Sequence, residues 1–165
     1  MEFTESYRHL SCLPEPVKET FSLTTALHNL GILLQSDFEM AHIRFTLRST
    51  PNDITVEGDE KQLSQVFLNL LKNSIQALEG ETEGEIEINL TQCEKLRIHI
   101  TDNGKGIPIG LQEKIFVPFF TTKTEGMGIG LSLCQQIIKK HEGNFYLQES
   151  QKGKTVFVIE WPDSP

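Results

Sequence analysis

Leu96, Ile98, Ile100 and Asp102 share one phase of the run Leu96-Arg97-Ile98-His99-Ile100-Thr101-Asp102. Alternate side chains on a strand face opposite sides of a sheet. A strand that reaches residue 102 therefore points a carboxylate the same way as three core aliphatics. A buried carboxylate without a partner is costly, so it needs a donor or a ligand. Gly104 and Gly106 follow at once, where backbone can approach another group closely. The chain must then build either a pocket or a tight turn at this point. Asp-Asn-Gly is also an ordinary turn sequence, in which the Asp side chain bonds its own backbone. On this segment alone both readings stand.

The rest of the chain alternates helical and strand periods. Leu13-Pro14-Glu15-Pro16 breaks any helix arriving through Thr4–Leu13. Apolar residues at helical spacing predict a helix over Ser22–Ala41. Ile43, Phe45 and Leu47 alternate as a strand, Pro51-Asn52-Asp53 turns it, and Ile54 and Val56 form a short second strand. Asp59 is placed to N-cap a helix, with Gln62 three residues on. That helix has the apolar face Leu63, Val66, Phe67, Leu70, Leu71, Ile75 and Leu78. Ile86–Leu90 and Leu96–Thr101 read as a hairpin, followed by a short helix near Leu111–Ile115. Leu131–His141 is an amphipathic helix with Gly143 expected as C′. Phe145–Gln148 and Thr155–Trp161 make a last hairpin around Lys152-Gly153-Lys154. Helices interleaved with alternating, hairpin-connected strands predict an α/β sandwich. Its sheet is mixed, mostly antiparallel, and covered on one face by helices.

The length of 165 residues is enough for one domain with a real core. The 15 basic and 23 acidic residues leave a formal charge of −8, which argues against a nucleic-acid or anionic-membrane surface. Cys12, Cys93 and Cys134 are scattered and odd in number, which reads as reduced thiols in a cytoplasmic setting rather than a disulfide frame. No apolar run reaches the roughly 18 residues of a membrane-spanning helix. Membrane anchoring of a longer parent protein stays open.

Asn69 and Asn73 are four residues apart on the Asp59–Leu78 helix and share a face. Asparagine prefers caps and turns to helix interiors. The pair is either a solvated helix edge or a set of oxygen ligands facing a pocket. An amide carbonyl is a hard neutral ligand of the kind Mg²⁺ accepts alongside waters and phosphates. Lys72 and Gln76 lie near the same edge, within reach of phosphate oxygens. Gly126-Met127-Gly128-Ile129-Gly130-Leu131 opens the last helix. Glycines there expose backbone N–H groups, and the helix dipole favours an anion. No strand leads directly into this segment, so the dinucleotide-binding context is missing, and the Gly-Lys-Ser/Thr of a P-loop is absent. Phe119–Lys123, with two aromatics and small polar residues, suits a lid pinned by Phe116 and Phe120. Ordinary core packing is the plainer reading for Phe116.

The order of these segments resembles the ATP-binding catalytic domain of sensor histidine kinases, within the gyrase, chaperone, histidine kinase and mismatch-repair ATPase superfamily. Asn69–Ala77 resembles its N box, Asp102–Pro108 its G1 box, Phe116–Phe120 its F box and Gly126–Leu131 its G2 box. The resemblance implies a Bergerat-type ATP-binding fold over residues 17–162, with the ATP lid between F box and G2 box. Residues 1–16 would be the end of an upstream dimerisation helix and a linker, and 163–165 a tail. It implies ATP and Mg²⁺ as ligands. Asp102 would accept from the adenine amino group. Asn73 would hold the metal, and Asn69, Lys72 and Asn73 would serve the transfer. Gly104, Gly106 and Ile107 would lie by the base, with Gln76 on the phosphate side. Phe120, Thr121, Thr122 and Lys123 would belong to a lid over about residues 117–127. Gly126, Met127, Gly128, Ile129, Gly130 and Leu131 would face the triphosphate. Thr155 matches a threonine that such domains carry beside the adenine-binding aspartate. Lys154 departs from the second glycine that is frequent there.

Asn69 also separates branches of the superfamily. The hydrolysing branches usually carry a glutamate at that position to activate water. An amide takes no proton at neutral pH, which favours transfer to a histidine over hydrolysis. His9, His28, His42, His99 and His141 stand in no phosphoacceptor context. The acceptor is therefore expected on a separate histidine-bearing dimerisation domain of the parent protein, with a response regulator downstream. In isolation the domain is expected to be a monomer. The alternative is a nucleotide-binding module or ATPase of the same superfamily without kinase activity.

Overall fold

The computed structural model describes residues 13–122 and 128–162. In chain order these form β1 (Glu19–Ser22), α1 (Leu23–Leu33), α2 (Gln35–Met40), β2 (Ile43–Thr50), β3 (Thr55–Gly58), α3 (Glu60–Ala77), β4 (Gly84–Gln92), β5 (Leu96–Asp102), α4 (Ile109–Gln112), α5 (Gly130–Lys140), β6 (Asn144–Gln151) and β7 (Lys154–Glu160). Five strands make one mixed sheet in the order β2-β4-β5-β7-β6. Only β2 and β4 run parallel within it. The helices α1, α3 and α5 lie against one face, as the hydrophobic pattern requires. β1 and β3 pair as a small separate ladder.

α3 follows the sequence closely. Asp59 caps it, accepting the Gln62 N–H at 3.0 Å. Leu63, Val66, Phe67, Leu70 and Leu71 are all buried. They meet Ile88, Leu90, Ile98 and Ile100 of the sheet in one core cluster. Truncating a leucine in such a core to alanine costs about 2–5 kcal/mol.

Four local expectations are corrected. The single helix over 22–41 divides at Leu34 (φ −93°, ψ 6°), which ends α1 and starts α2. The bend keeps Leu30, Leu34 and Phe38 all in the core. The polar strand β1 was not anticipated, and it gives β3 its partner. The helix near 111–115 is a single turn that begins at Ile109. At the end of α5 the left-handed residue is Glu142 (φ 64°), not Gly143. Gly143 is one place further on: its N–H reaches Ile138 O at 3.0 Å while Glu142 N–H reaches Lys139 O at 2.9 Å. Glycine is still required at 143, since a Cβ there would lie 2.9 Å from Glu160 O.

Candidate functional site

β5 does reach residue 102. Asp102 is 4 % exposed and pairs across the sheet with Ile86 on one side and Thr155 on the other. Its Oδ1 accepts the Gly104 N–H at 3.0 Å, and its Oδ2 accepts from Ser74 Oγ at 3.0 Å. The bond to Gly104 is an Asx-turn, so the two readings of Asp-Asn-Gly are not exclusive. One oxygen makes the turn while the carboxylate stays inside. Burial pushes the carboxyl above its ordinary value of 3.8, against the opposing pull of the Gly104 and Ser74 hydrogen bonds.

The loop after Asp102 is clamped on both sides. Lys105 N–H donates to Ala77 O at the end of α3, and Gly153 N–H donates to Gly104 O. Ile107 N–H donates to Ser150 Oγ at 2.8 Å, and Ser150 Oγ lies 2.8 Å from Thr155 Oγ1. Gln112 Nε2 donates to Ile107 O and Ser150 O at 2.8 and 3.0 Å. The clamp itself requires glycine at 104 and 106. A Cβ on Gly104 would lie 2.6 Å from Ala77 O, and one on Gly106 (φ 76°) would lie 2.5 Å from Gln151 O. Lys154 pairs with Gln151 at the start of β7, and only Gly153 takes positive φ in that turn. A second glycine is not needed there.

Asn69 and Asn73 are half-buried, with Lys72 and Gln76 exposed beside them. Asn69 stands where α3 crosses the start of α5. Its Nδ2 lies 3.9 Å from Cys134 Sγ, and a Cβ on Gly130 would lie 4.0 Å from its Cγ. With Nδ2 on the sulfur, Oδ1 is the atom this residue can offer. Burial pushes the Cys134 thiol up to about 12, so it stays protonated and donates to Val66 O. Gly130 and Leu131 open α5, Ile129 precedes it, and Leu131 packs on the core. The first N–H groups of a helix have no partner within it. Gly128 (φ 66°) is seated on the F-box segment: its carbonyl accepts from Phe119 N–H at 2.9 Å. Phe116 is half-buried and packs on the core, edge-on to Phe145 at 5.5 Å and to Phe157 at 6.5 Å. Phe120 is half-buried and Thr121 and Thr122 are exposed. Lys123, Gly126 and Met127 lie outside the described residues.

The structure thus gathers Asp102, Gly104, Gly106, Ile107 and Thr155 at one end of α3. It brings Asn69 to Gly130 across the α3–α5 contact. Ser74, Ser150 and Gln112 were missed. Ser74 had a visible signal, as the polar member of an otherwise apolar helical row. Ser150 and Gln112 act through backbone contacts that no spacing announces. A surface concavity of about 420 Å³ lies elsewhere, lined by Thr24, Thr25, His28, Leu47, Ser49 and Asn52. It contains none of these residues. Two of its hydroxyls are engaged within the chain: Thr24 Oγ1 accepts from Ile54 N–H, and Ser49 Oγ donates to Pro51 O.

Comparison with known proteins gives the family of the chain. The family described as "Histidine kinase-, DNA gyrase B-, and HSP90-like ATPase" matches residues 58–165. Sporulation kinase A of Bacillus subtilis (strain 168) is 32 % identical over 148 residues, covering 88 % of this chain and 24 % of that protein. The nucleotide-free catalytic domain of the histidine kinase ThkA superposes with a TM-score of 0.79 at 35 % identity, covering 88 % of this chain and 95 % of that one. ThkA in complex with the response regulator protein TrrA gives a TM-score of 0.80 at 30 % identity, covering 99 % of this chain and 48 % of that one. The chain belongs to the histidine kinase-, DNA gyrase B- and HSP90-like ATPase family, and its fold is that of histidine kinase catalytic domains. Membership in this family carries ATP binding. The chain spans between 24 % and 41 % of the length of the curated relatives it matches.

Proposed function

We propose that this domain binds Mg-ATP and passes the γ-phosphoryl group to a histidine on a separate dimerisation domain of the parent protein, from which a response regulator is served. The proposal covers the individual site roles. Asp102 accepts from the adenine amino group, with Thr155 and the clamped loop through Gly104, Gly106 and Ile107 around the base. The first-turn N–H groups of α5 and the exposed Lys72 and Gln76 meet phosphate oxygens. Among the described residues no group of three His, Cys, Asp or Glu could hold a metal ion. The donor set fits an ion that arrives on phosphates and is completed by a neutral amide oxygen, that of Asn73. Mg²⁺ bound there would neutralise charge on the transferring group.

Asn69 is the single observation that favours transfer over hydrolysis. An amide, bonded to a neutral thiol, occupies the place where α3 faces Gly130 at the start of α5. It cannot take a proton from water. Phosphoryl transfer asks the protein mainly for positioning and charge neutralisation. The test is to incubate the domain with γ-labelled ATP and the parent's histidine-bearing hairpin. Acid-labile, alkali-stable label on the hairpin is the expected result. Nucleotide binding without transfer would support the binding-module reading, and release of free phosphate without transfer would support an ATPase.

A further inference from the structure

Ser74 is 3 % exposed and sits on α3 in the row that otherwise carries Leu63, Val66, Phe67, Leu70 and Leu71. A hydroxyl in that row must find a partner, and the partner is Asp102 Oδ2 at 3.0 Å. A serine hydroxyl has one proton to give. Since Asp102 as a carboxylate has none, Ser74 is the donor, and its proton is committed to the acid. Gly104 N–H is the second donor, on Oδ1. Each carboxylate oxygen keeps a further lone pair, so the pair presents acceptors and no proton to whatever lies beside it. An aminopurine supplies the proton this arrangement needs. A 6-oxopurine brings a carbonyl to the same place and finds no donor.

We infer that Ser74 is a positioning residue that determines base specificity, by holding Asp102 in an orientation in which it can only accept. The inference rests on the proposed role of Asp102 as the base-reading group. Ser74 is one of only two hydrogen bonds that oppose the effect of burial on this carboxyl. Without it, the acid is held by Gly104 alone, is free to rotate, and regains a proton more readily. A protonated carboxyl can donate to an oxo group. Loss of Ser74 should therefore weaken the aminopurine and relieve the penalty on the oxopurine together. A cavity or general loosening of the helix would weaken both nucleotides alike.

The test is calorimetric titration of the wild-type chain, Ser74→Ala and Ser74→Thr with Mg-ATP and Mg-ITP, which differ in the purine only at position 6 and the protonation of the adjacent nitrogen. Wild type should prefer ATP. Ser74→Ala should shrink that preference roughly tenfold, the worth of one hydrogen bond to a charged acceptor. Ser74→Thr, which keeps the hydroxyl, should retain it. An unchanged ATP/ITP ratio in Ser74→Ala would overturn the inference while leaving Asp102's role intact. A wild type that binds both nucleotides equally would overturn the base-reading role and the inference with it. If Ser74→Ala does not fold, Ser74→Cys replaces it. Its thiol is a weak donor, so its ratio should fall below that of Ser74→Thr, and equal ratios in the two would overturn the inference.

Discussion

The imidazole Nε2 of His141 accepts the backbone N–H of Asp59 at 3.0 Å, tying the C-terminal end of α5 to the N-terminal end of α3. Nδ1 lies 2.8 Å from Ile137 O and must carry the proton to donate there. Only the neutral ring satisfies both contacts. The ring is 1 % exposed and packs 5.5 Å from Trp161. Burial lowers its pKa below the ordinary 6.5, and the nearby Lys18 adds to this; Ile137 O and Asp59 oppose it. A folded value below the unfolded one means that the stability is present above about pH 6.5 and lost as the pH falls through the folded value. Urea unfolding across pH 7.5 to 5 should show this loss (pH values of about these magnitudes bracket the unperturbed imidazole). His141→Leu should be less stable than wild type at the upper end and show a shallower fall below it. Equal slopes in the two proteins would refute the coupling.

Asp102 titrates with the opposite sign. Its folded pKa is raised, so its contribution to stability is fully present below the ordinary 3.8 and is lost as the pH rises through the folded value. In the role proposed for Asp102, the carboxylate is the form that accepts from the base. Acidification toward that range should therefore weaken ATP binding while relieving the cost of a buried charge in the empty protein. Titrations at falling pH on wild type and Asp102→Ala should show an acid limb in wild type that the variant lacks.

Gly106 and Gly80 both hold positive φ, at 76° and 85°. A Cβ on Gly80 meets nothing within 4 Å, whereas one on Gly106 meets Gln151 backbone. Gly80→Ala should cost only the backbone term, about 1 kcal/mol. Gly106→Ala should cost more, on the order of 1–3 kcal/mol beyond that, and should also weaken ATP binding as the loop leaves the β6–β7 hairpin. Chemical denaturation ranks the pair, and equal losses would contradict the clamp.

Asn73→Ala should abolish the magnesium dependence of triphosphate affinity while ADP binding in the absence of magnesium stays near wild type. Titration with and without the metal checks this. Retained magnesium dependence would move the metal to another ligand.

The sequence made α3, β4 and β5 legible because each buries one face against the same core, so a period of 3.6 or 2 survives in the residues; β7, buried from Thr155 to Ile159 on both faces, was legible as a continuous apolar run after the Lys152-Gly153-Lys154 turn. The strand β1 was not legible, since Glu19–Ser22 has a single apolar residue, Phe21, and so carries no alternation, and it is held largely by pairing with β3. The break at Leu34 was hidden because Leu27, Leu30, Leu34 and Phe38 stay buried at helical spacing through the bend. In the site, Asp102 could be found because a carboxylate in phase with Leu96, Ile98 and Ile100 breaks the expected chemistry. The clamp formed by Ser150, Gln112 and Gly153 could not, because its Ser150 and Gln112 bonds join a side chain to the backbone of a segment about forty residues away, and contacts of that range carry no local pattern.

Calorimetric titration of wild type and Asp102→Ala with Mg-ATP at neutral pH tests the central claim most directly. A hydrogen bond to a charged acceptor is worth roughly 1.5–3 kcal/mol, so the variant should bind about ten- to 150-fold more weakly. Equal affinity in the two folded proteins would show that the buried acid at the end of β5 does not read the base.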